Sequence, residues 1–165
     1  MKYILTLCSL LMMFCSPAQE TSFSAEALSD VFIAEDNTEV AFSEILEQHV
    51  GSTILIDVWA GWCKDCIIGM PKVKELQKNH NEVVFVFLSL DKTTTSWKKA
   101  METFEVVGEN YYISSGWKGP FCSGIDLDWI PRYMVVNPEG EISVFKAIKA
   151  DDKRLKAALL NNDKQ

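Results

Sequence analysis

Two cysteines three residues apart, Cys63 and Cys66, stand directly between a segment patterned as a buried strand and a segment patterned as a long helix. That junction limits the folds open to the chain. Thr53 to Trp59 is β-branched and aromatic, and apolar apart from Asp57, the pattern of a strand covered on both faces. A helix is expected from about Cys63 to Asn79, kinked at Met70-Pro71 where the proline lacks a backbone donor. Glu82 to Leu90, with Val-Val-Phe-Val-Phe-Leu at its heart, reads as a second buried strand. Two buried strands joined by a helix make a βαβ unit with a right-handed crossover, and so an α/β fold.

The flanking segments extend the alternation. Val31-Phe32-Ile33 reads as a short strand after a loose stretch from Gln19 to Ala25, with a turn at Asp36-Asn37. Ser43 is expected to open an amphipathic helix carrying Ile45 and Leu46 and ending at Val50-Gly51. Ser96 caps a helix with Trp97, Met101 and Phe104 on one core-facing stripe, ended by Gly108. Tyr111 to Asp128, broken by Gly116, Gly119-Pro120 and Gly124, reads as a loop with one short helix. Arg132 to Val136, the turn Asn137-Pro138-Glu139-Gly140 and Glu141 to Lys146 form a hairpin. Asp151 caps a last helix bearing Leu155, Leu159 and Leu160.

Residues 1–18 are read as an export signal. Lys2 supplies the charge, Ile4 to Phe14 the apolar run, and Ser16-Pro17-Ala18 the small residues before cleavage. The run is about half the length that spans a bilayer. Cleavage before Cys15, giving a lipidated and membrane-anchored cysteine, is the weaker alternative because Phe14 is bulky for that site. The signal contains one lysine and no acid, so the net charge of −7 becomes −8 in the mature chain. Such acidity leaves no footprint for phosphate backbones, which argues against a nucleic-acid partner. One domain, residues 26–162, is expected.

Of five cysteines, Cys8 and Cys15 lie in the signal, leaving Cys63, Cys66 and Cys122 in an exported, oxidising compartment. A close pair and a single distant thiol fit one reactive dithiol better than a disulfide framework. At the start of a helix, the first sulfur meets unpaired backbone N–H groups and the positive end of the helix dipole, which stabilise a thiolate. Structural zinc also uses Cys-x-x-Cys, but the other ligands available, Cys122, His49 and His80, show no second paired spacing.

The segment Ile56-Asp57-Val58-Trp59-Ala60-Gly61-Trp62-Cys63-Lys64-Asp65-Cys66 resembles the active-site segment of the thioredoxin-like superfamily, with Pro71 at the place of its helix-kinking proline. Ile130-Pro131, followed by an apolar strand and Asn-Pro-Glu-Gly, is similar to the cis-proline loop that faces the dithiol in that superfamily. The N-terminal extension and the insert between Asp91 and Trp129 look like the TlpA and ResA type of exported thiol-disulfide oxidoreductase. The resemblance implies a central mixed β-sheet flanked by helices, with an N-terminal strand extension and an insert before the cis-proline strand. Lys64-Asp65 departs from the commoner Gly-Pro or Pro-Pro, and Cys122 has no family role.

By that resemblance Cys63 is the nucleophile and Cys66 the resolving thiol of a redox-active disulfide. Asp57, costly to bury as an unpaired carboxylate, is expected to have a raised pKa and to take the proton of Cys66 from behind it. Trp62, Ile130 and Pro131 are the expected substrate-binding residues, with Pro131 cis and the Ile130 backbone pairing with an extended partner; Trp59 is expected in the core. Lys64 and Asp65 act on Cys63 in opposite directions. The implied partners are exported proteins with cysteines or disulfides and a membrane electron donor that restores the dithiol, in the periplasm. No cofactor or metal is called for. A peroxiredoxin-type peroxidase would need Thr and Pro where Ala60 and Ile56 stand. A redox-inactive binding module is the other alternative, against which the intact cysteine pair counts.

Overall fold

The computed structural model describes residues 20–160, so the expected signal with Cys8 and Cys15, and everything from residue 161, lies outside the described residues. In chain order the elements are α1 (Ala25–Leu28), β1 (Val31–Ala34), β2 (Glu39–Ala41), α2 (Phe42–Glu47), β3 (Ile54–Trp59), α3 (Lys64–Asn79) and β4 (Val84–Ser89). There follow α4 (Thr94–Phe104), β5 (Glu109–Tyr112), α5 (Pro120–Gly124), β6 (Arg132–Val136), β7 (Ile142–Ala147) and α6 (Lys153–Leu160). No helix among the described residues is long and apolar enough to cross a membrane.

The strands form one mixed sheet in the order β2-β1-β5-β4-β3-β6-β7. β3, β4 and β5 run parallel, and β6 lies antiparallel to β3. Every residue of β3 is buried, as its continuous apolar pattern requires when helices cover both faces of a sheet. The expected α/β architecture with a central mixed sheet flanked by helices is the observed one.

Several local expectations are corrected. β5 occupies the start of the segment read as loop: Glu109-Asn110-Tyr111-Tyr112 pairs parallel with β4 and antiparallel with β1, so sheet pairing overrides a weak local pattern. Beyond the expected turn at Asp36-Asn37, Glu39–Ala41 forms a hairpin with β1, a strand the sequence reading did not identify. The stretch before Ala25 is not loose throughout, because Phe23 is buried and the Thr21 carbonyl accepts from the Ile142 amide. Glu44, not Ser43, ties down the start of α2 by accepting from the Ala41 amide. Thr93, not Ser96, caps α4; its Oγ1 accepts from the Ser96 amide at 3.0 Å while Ser96 Oγ accepts from the Thr93 amide. That helix ends at Glu105, in the left-handed conformation, and Gly108 instead opens β5 with φ +139°. A Cβ at Gly108 would lie 2.7 Å from the Phe85 carbonyl oxygen. At α6 it is Asp152 that accepts from the Arg154 amide, while Asp151 pairs with Lys72. Leu155 and Leu159 are buried, but Leu160 is exposed.

The N-terminal extension and the insert are locked together by aromatic packing. Phe42 is fully buried, with ring centroids 4.9 Å from Phe23, 5.7 Å from Phe32 and 4.8 Å from Phe121. Beside it, Asp30 accepts from the Phe121 amide at 2.9 Å and from Ser115 Oγ at 2.7 Å. Residues 115–121 are thereby held from both sides. Phe42→Ala should cost about 3–5 kcal/mol, the range for deleting a buried aromatic ring. Urea unfolding checks this, and a loss under about 1 kcal/mol would mean that the four rings do not pack as a unit.

Candidate active site

β3 delivers the chain to its own C-terminal end in the middle of the sheet, and a short turn reverses it into α3. The Cys63 amide donates to the Ala60 carbonyl at 3.0 Å, and the Gly61 amide to Asp91 Oδ2 at 3.0 Å. Asp91 is itself oriented by Ser89 Oγ at the end of β4. A side chain at Gly61 would collide with Ala100, so the turn can lie this close to α4 only as glycine. Ser89 and Asp91 are positioning residues that the sequence pattern did not single out, because their use depends on two strands ending side by side.

Cys63 is the N-cap of α3. Its Sγ accepts from the Cys66 amide at 3.1 Å and is joined to Cys66 in a disulfide, with Cα atoms 5.3 Å apart. The Ile130–Pro131 peptide bond is cis, and the Ile130 carbonyl oxygen lies 3.6 Å from Cys63 Sγ. Cys63 is only slightly more open than Cys66: 6 % of it is accessible against 2 %. The reason is cover from the proline loop. Cys63, and not Cys66, lines a cleft of about 310 Å³ together with Trp62, Lys64, Asp65, Trp117, Trp129 and Ile130.

Trp62 is 56 % exposed, with Nε1 donating to the Leu90 carbonyl at 3.3 Å, whereas Trp59 is buried in the core. Trp117 and Trp129, partly exposed, complete an aromatic wall that sequence reading missed. Trp129 precedes the Ile130-Pro131 pair and was legible in principle; Trp117 reaches the cleft only because Asp30 and the phenylalanine cluster hold its segment. Pro131 is buried behind the cleft.

Asp57 is fully buried, not turned to solvent, and burial holds its carboxyl well above the usual range. Its neighbours across the sheet are Phe87 on β4 and Tyr133 on β6. Directly paired residues point to the same side of a sheet. The Tyr133 hydroxyl reaches Gly69, three residues after Cys66 on α3, where an added Cβ would stand 3.0 Å from it. Asp57 therefore faces α3 at the level of the dithiol turn.

Cys122 is buried in α5, and burial, aided by Asp30, pushes its thiol up to about 12. It is mostly protonated at neutral pH and a poor nucleophile. The zinc ligand set is not assembled: His80 caps the far end of α3, about 26 Å along the helix from Cys63, and His49 bonds Glu109. Among the described residues no group of three or more His, Cys, Asp and Glu is placed to hold a metal ion.

A strand, a redox-capable cysteine pair at a helix start and a cis-proline loop beside it define a thioredoxin-fold dithiol protein. The thioredoxin-like family model matches residues 51–142, more than half of the chain, and the chain belongs to that family. Its fold is similar to that of the thioredoxin domain of a thiol-disulfide oxidoreductase from Bacteroides vulgatus, with TM-score 0.67, 20 % identity, and 82 % of this chain and 95 % of that one covered. A secreted disulfide oxidoreductase from Mycobacterium tuberculosis gives TM-score 0.63 and 12 % identity over 84 % of this chain and 99 % of that one. Thioredoxin-1 of Caenorhabditis elegans is 31 % identical over 51 residues, 31 % of this chain and 44 % of that relative, so the match spans under half of its length.

The Asp57 carboxyl carries a stability cost with a definite sign. With its folded pKa raised, the folded state holds a proton that the unfolded state releases, so stability falls as pH rises from about 4 to the folded value. Each unit of upward shift removes about 1.4 kcal/mol. Asp57→Asn should gain stability over the parent steadily across that window, then level off. Urea midpoints of the oxidised proteins between pH 4 and 9 check this; parallel curves would mean that Asp57 ionises as freely folded as unfolded.

Proposed function

We propose that the chain is an exported thiol-disulfide oxidoreductase whose Cys63–Cys66 dithiol reduces disulfides in other exported proteins and is restored by a membrane electron donor. The observation that carries the reading is the placement of Cys63 alone of the pair on the tryptophan-lined cleft beside the cis Ile130-Pro131 bond. At a helix N-terminus its thiolate is stabilised by the amide that already points at Sγ.

In this scheme the Cys63 thiolate attacks one sulfur of a partner disulfide, and the partner's other sulfur leaves as thiolate. Cys66 loses its proton to the Asp57 carboxylate, attacks Cys63 Sγ and releases the partner's second thiolate. Two electrons pass to the partner and the pair ends in the bridged form seen here. The partner segment lies extended against Ile130-Pro131, between Trp62 and Trp129.

The reductive direction rests on the resemblance to the TlpA and ResA type, now seen as a β1–β2 hairpin at the N-terminus and an α4-β5-α5 insert. Export rests on residues 1–18, and attachment through Cys15 would be a membrane-bound form of the same proposal. Equilibration with glutathione tests direction: a potential near the roughly −270 mV of thioredoxin supports a reductant, and one near −120 mV an oxidant.

Cys66→Ser should trap partners, because attack by Cys63 survives and the resolving step does not. Expressed with its leader, the variant should give thiol-sensitive adducts on non-reducing gels, and the same variant lacking Cys63 none. Adducts that persist without Cys63 would overturn the assignment of nucleophile; none at all with oxidised partners supplied would favour a redox-inactive binding module. Trp129→Ala in the trapping background should lower adduct yield several-fold, since its ring lines the cleft that would hold the partner segment; an unchanged yield would remove Trp129 from the proposed docking surface.

A further inference from the structure

Behind the disulfide, two buried polar atoms have no hydrogen-bond partner among the described residues: Asp57 Oδ1 and the Tyr133 hydroxyl oxygen. They belong to residues paired directly across β3 and β6, on the same side of the sheet. An unpartnered buried hydroxyl beside an unpartnered buried carboxyl is costly twice over, and buried polar groups are almost always satisfied by protein or enclosed water. Each residue answers the other's need, since a phenol donates one hydrogen and a carboxyl accepts.

The other groups facing this place offer no better partner. Phe87, on the opposite flank of Asp57, is apolar, and Cys66 on α3 is tied up in the disulfide. Lys72 and Asp151, the charged groups nearest the outer end of Tyr133, are paired with each other. Trp59, two residues along β3, offers one orphaned indole N–H. Burial, and after it the Asp57 charge, drives the Tyr133 hydroxyl's pKa far upward, so it stays protonated and available as a donor throughout the working range. Gly69 keeps room for it, since a Cβ there would press on the hydroxyl at 3.0 Å.

We infer that Tyr133 donates a hydrogen bond toward the Asp57 carboxyl through one enclosed water, and thereby sets the pH range in which Asp57 receives the Cys66 proton. Tyr133 is a positioning residue: it touches neither partner nor sulfur and acts through Asp57. The inference rests on the role given to Asp57 above. Burial alone favours the neutral carboxyl so strongly that it would be a poor proton acceptor near neutral pH; a donor aimed at the ionised form pulls it back toward use. The proton moves from Cys66 sulfur to Asp57 oxygen, and the tyrosine keeps its own.

The test is the Asp57 carboxyl-carbon titration by NMR in the oxidised protein, where neither site cysteine titrates. Tyr133→Phe should raise the midpoint by about one pH unit. 3-Fluorotyrosine at position 133, a stronger donor of the same shape, should lower it, and a merely structural role would not move the two in opposite directions. In the reduced protein the part of the exchange rate that Asp57→Asn abolishes should shift along the pH axis with the same signs. Midpoints unchanged in both variants overturn the inference, even if Asp57→Asn slows exchange. If Asp57→Asn exchanges like the parent, the proton role of Asp57 fails instead, while opposed midpoint shifts still establish the bond.

Discussion

The organisation of the molecule depends on the meeting of one strand end and one helix start. β3 is buried over its whole length, so its direction is fixed by β4 and β6 on either side, and only four residues separate its end from the start of α3. Within that interval the chain must turn sharply while giving its backbone groups partners. Gly61, leaning on Asp91 and with no room for a side chain against Ala100, makes the turn possible. Cys63 emerges as the N-cap, with its sulfur on the unpaired amides of the helix. The position that stabilises a thiolate is thus also the one that starts the helix.

Two regions outside that junction shape the cleft over Cys63. The cis-proline loop covers the disulfide from one side, and residues 115–121 bring Trp117 to the cleft from another. Neither is supported locally. The second is held by Asp30 and by the packing of Phe23, Phe32 and Phe42 against Phe121, so the N-terminal extension shapes the rim of a site it does not touch. Beneath the dithiol the core accepts a polar pair, Asp57 and Tyr133, where an apolar pair of similar size would be more stable. Under the proposed function, proton uptake behind a buried sulfur gives a physical reason for that cost.

Much was decided by the sequence alone. The buried character of β3 and β4, the helix beginning at the cysteine pair and the β6–β7 hairpin follow from apolar runs, an N-cap and a turn motif, all interactions between residues close in the chain. The dithiol, the buried carboxylate at Asp57 and the proline at 131 were legible for the same reason: each is an anomaly against its immediate surroundings. What tertiary structure decided is what needs distant partners. β5 is a strand because β4 and β1 offer it edges, not because Glu-Asn-Tyr-Tyr is a strong strand former. The inertness of Cys122, the limited opening of Cys63 and the convergence of Trp62, Trp117 and Trp129 are statements about burial and neighbourhood, and the pairing of Asp57 with Tyr133 joins positions far apart in the chain through antiparallel register. Local pattern carries information about conformation and polarity, whereas which groups share an enclosed space is settled only when the sheet order brings them together.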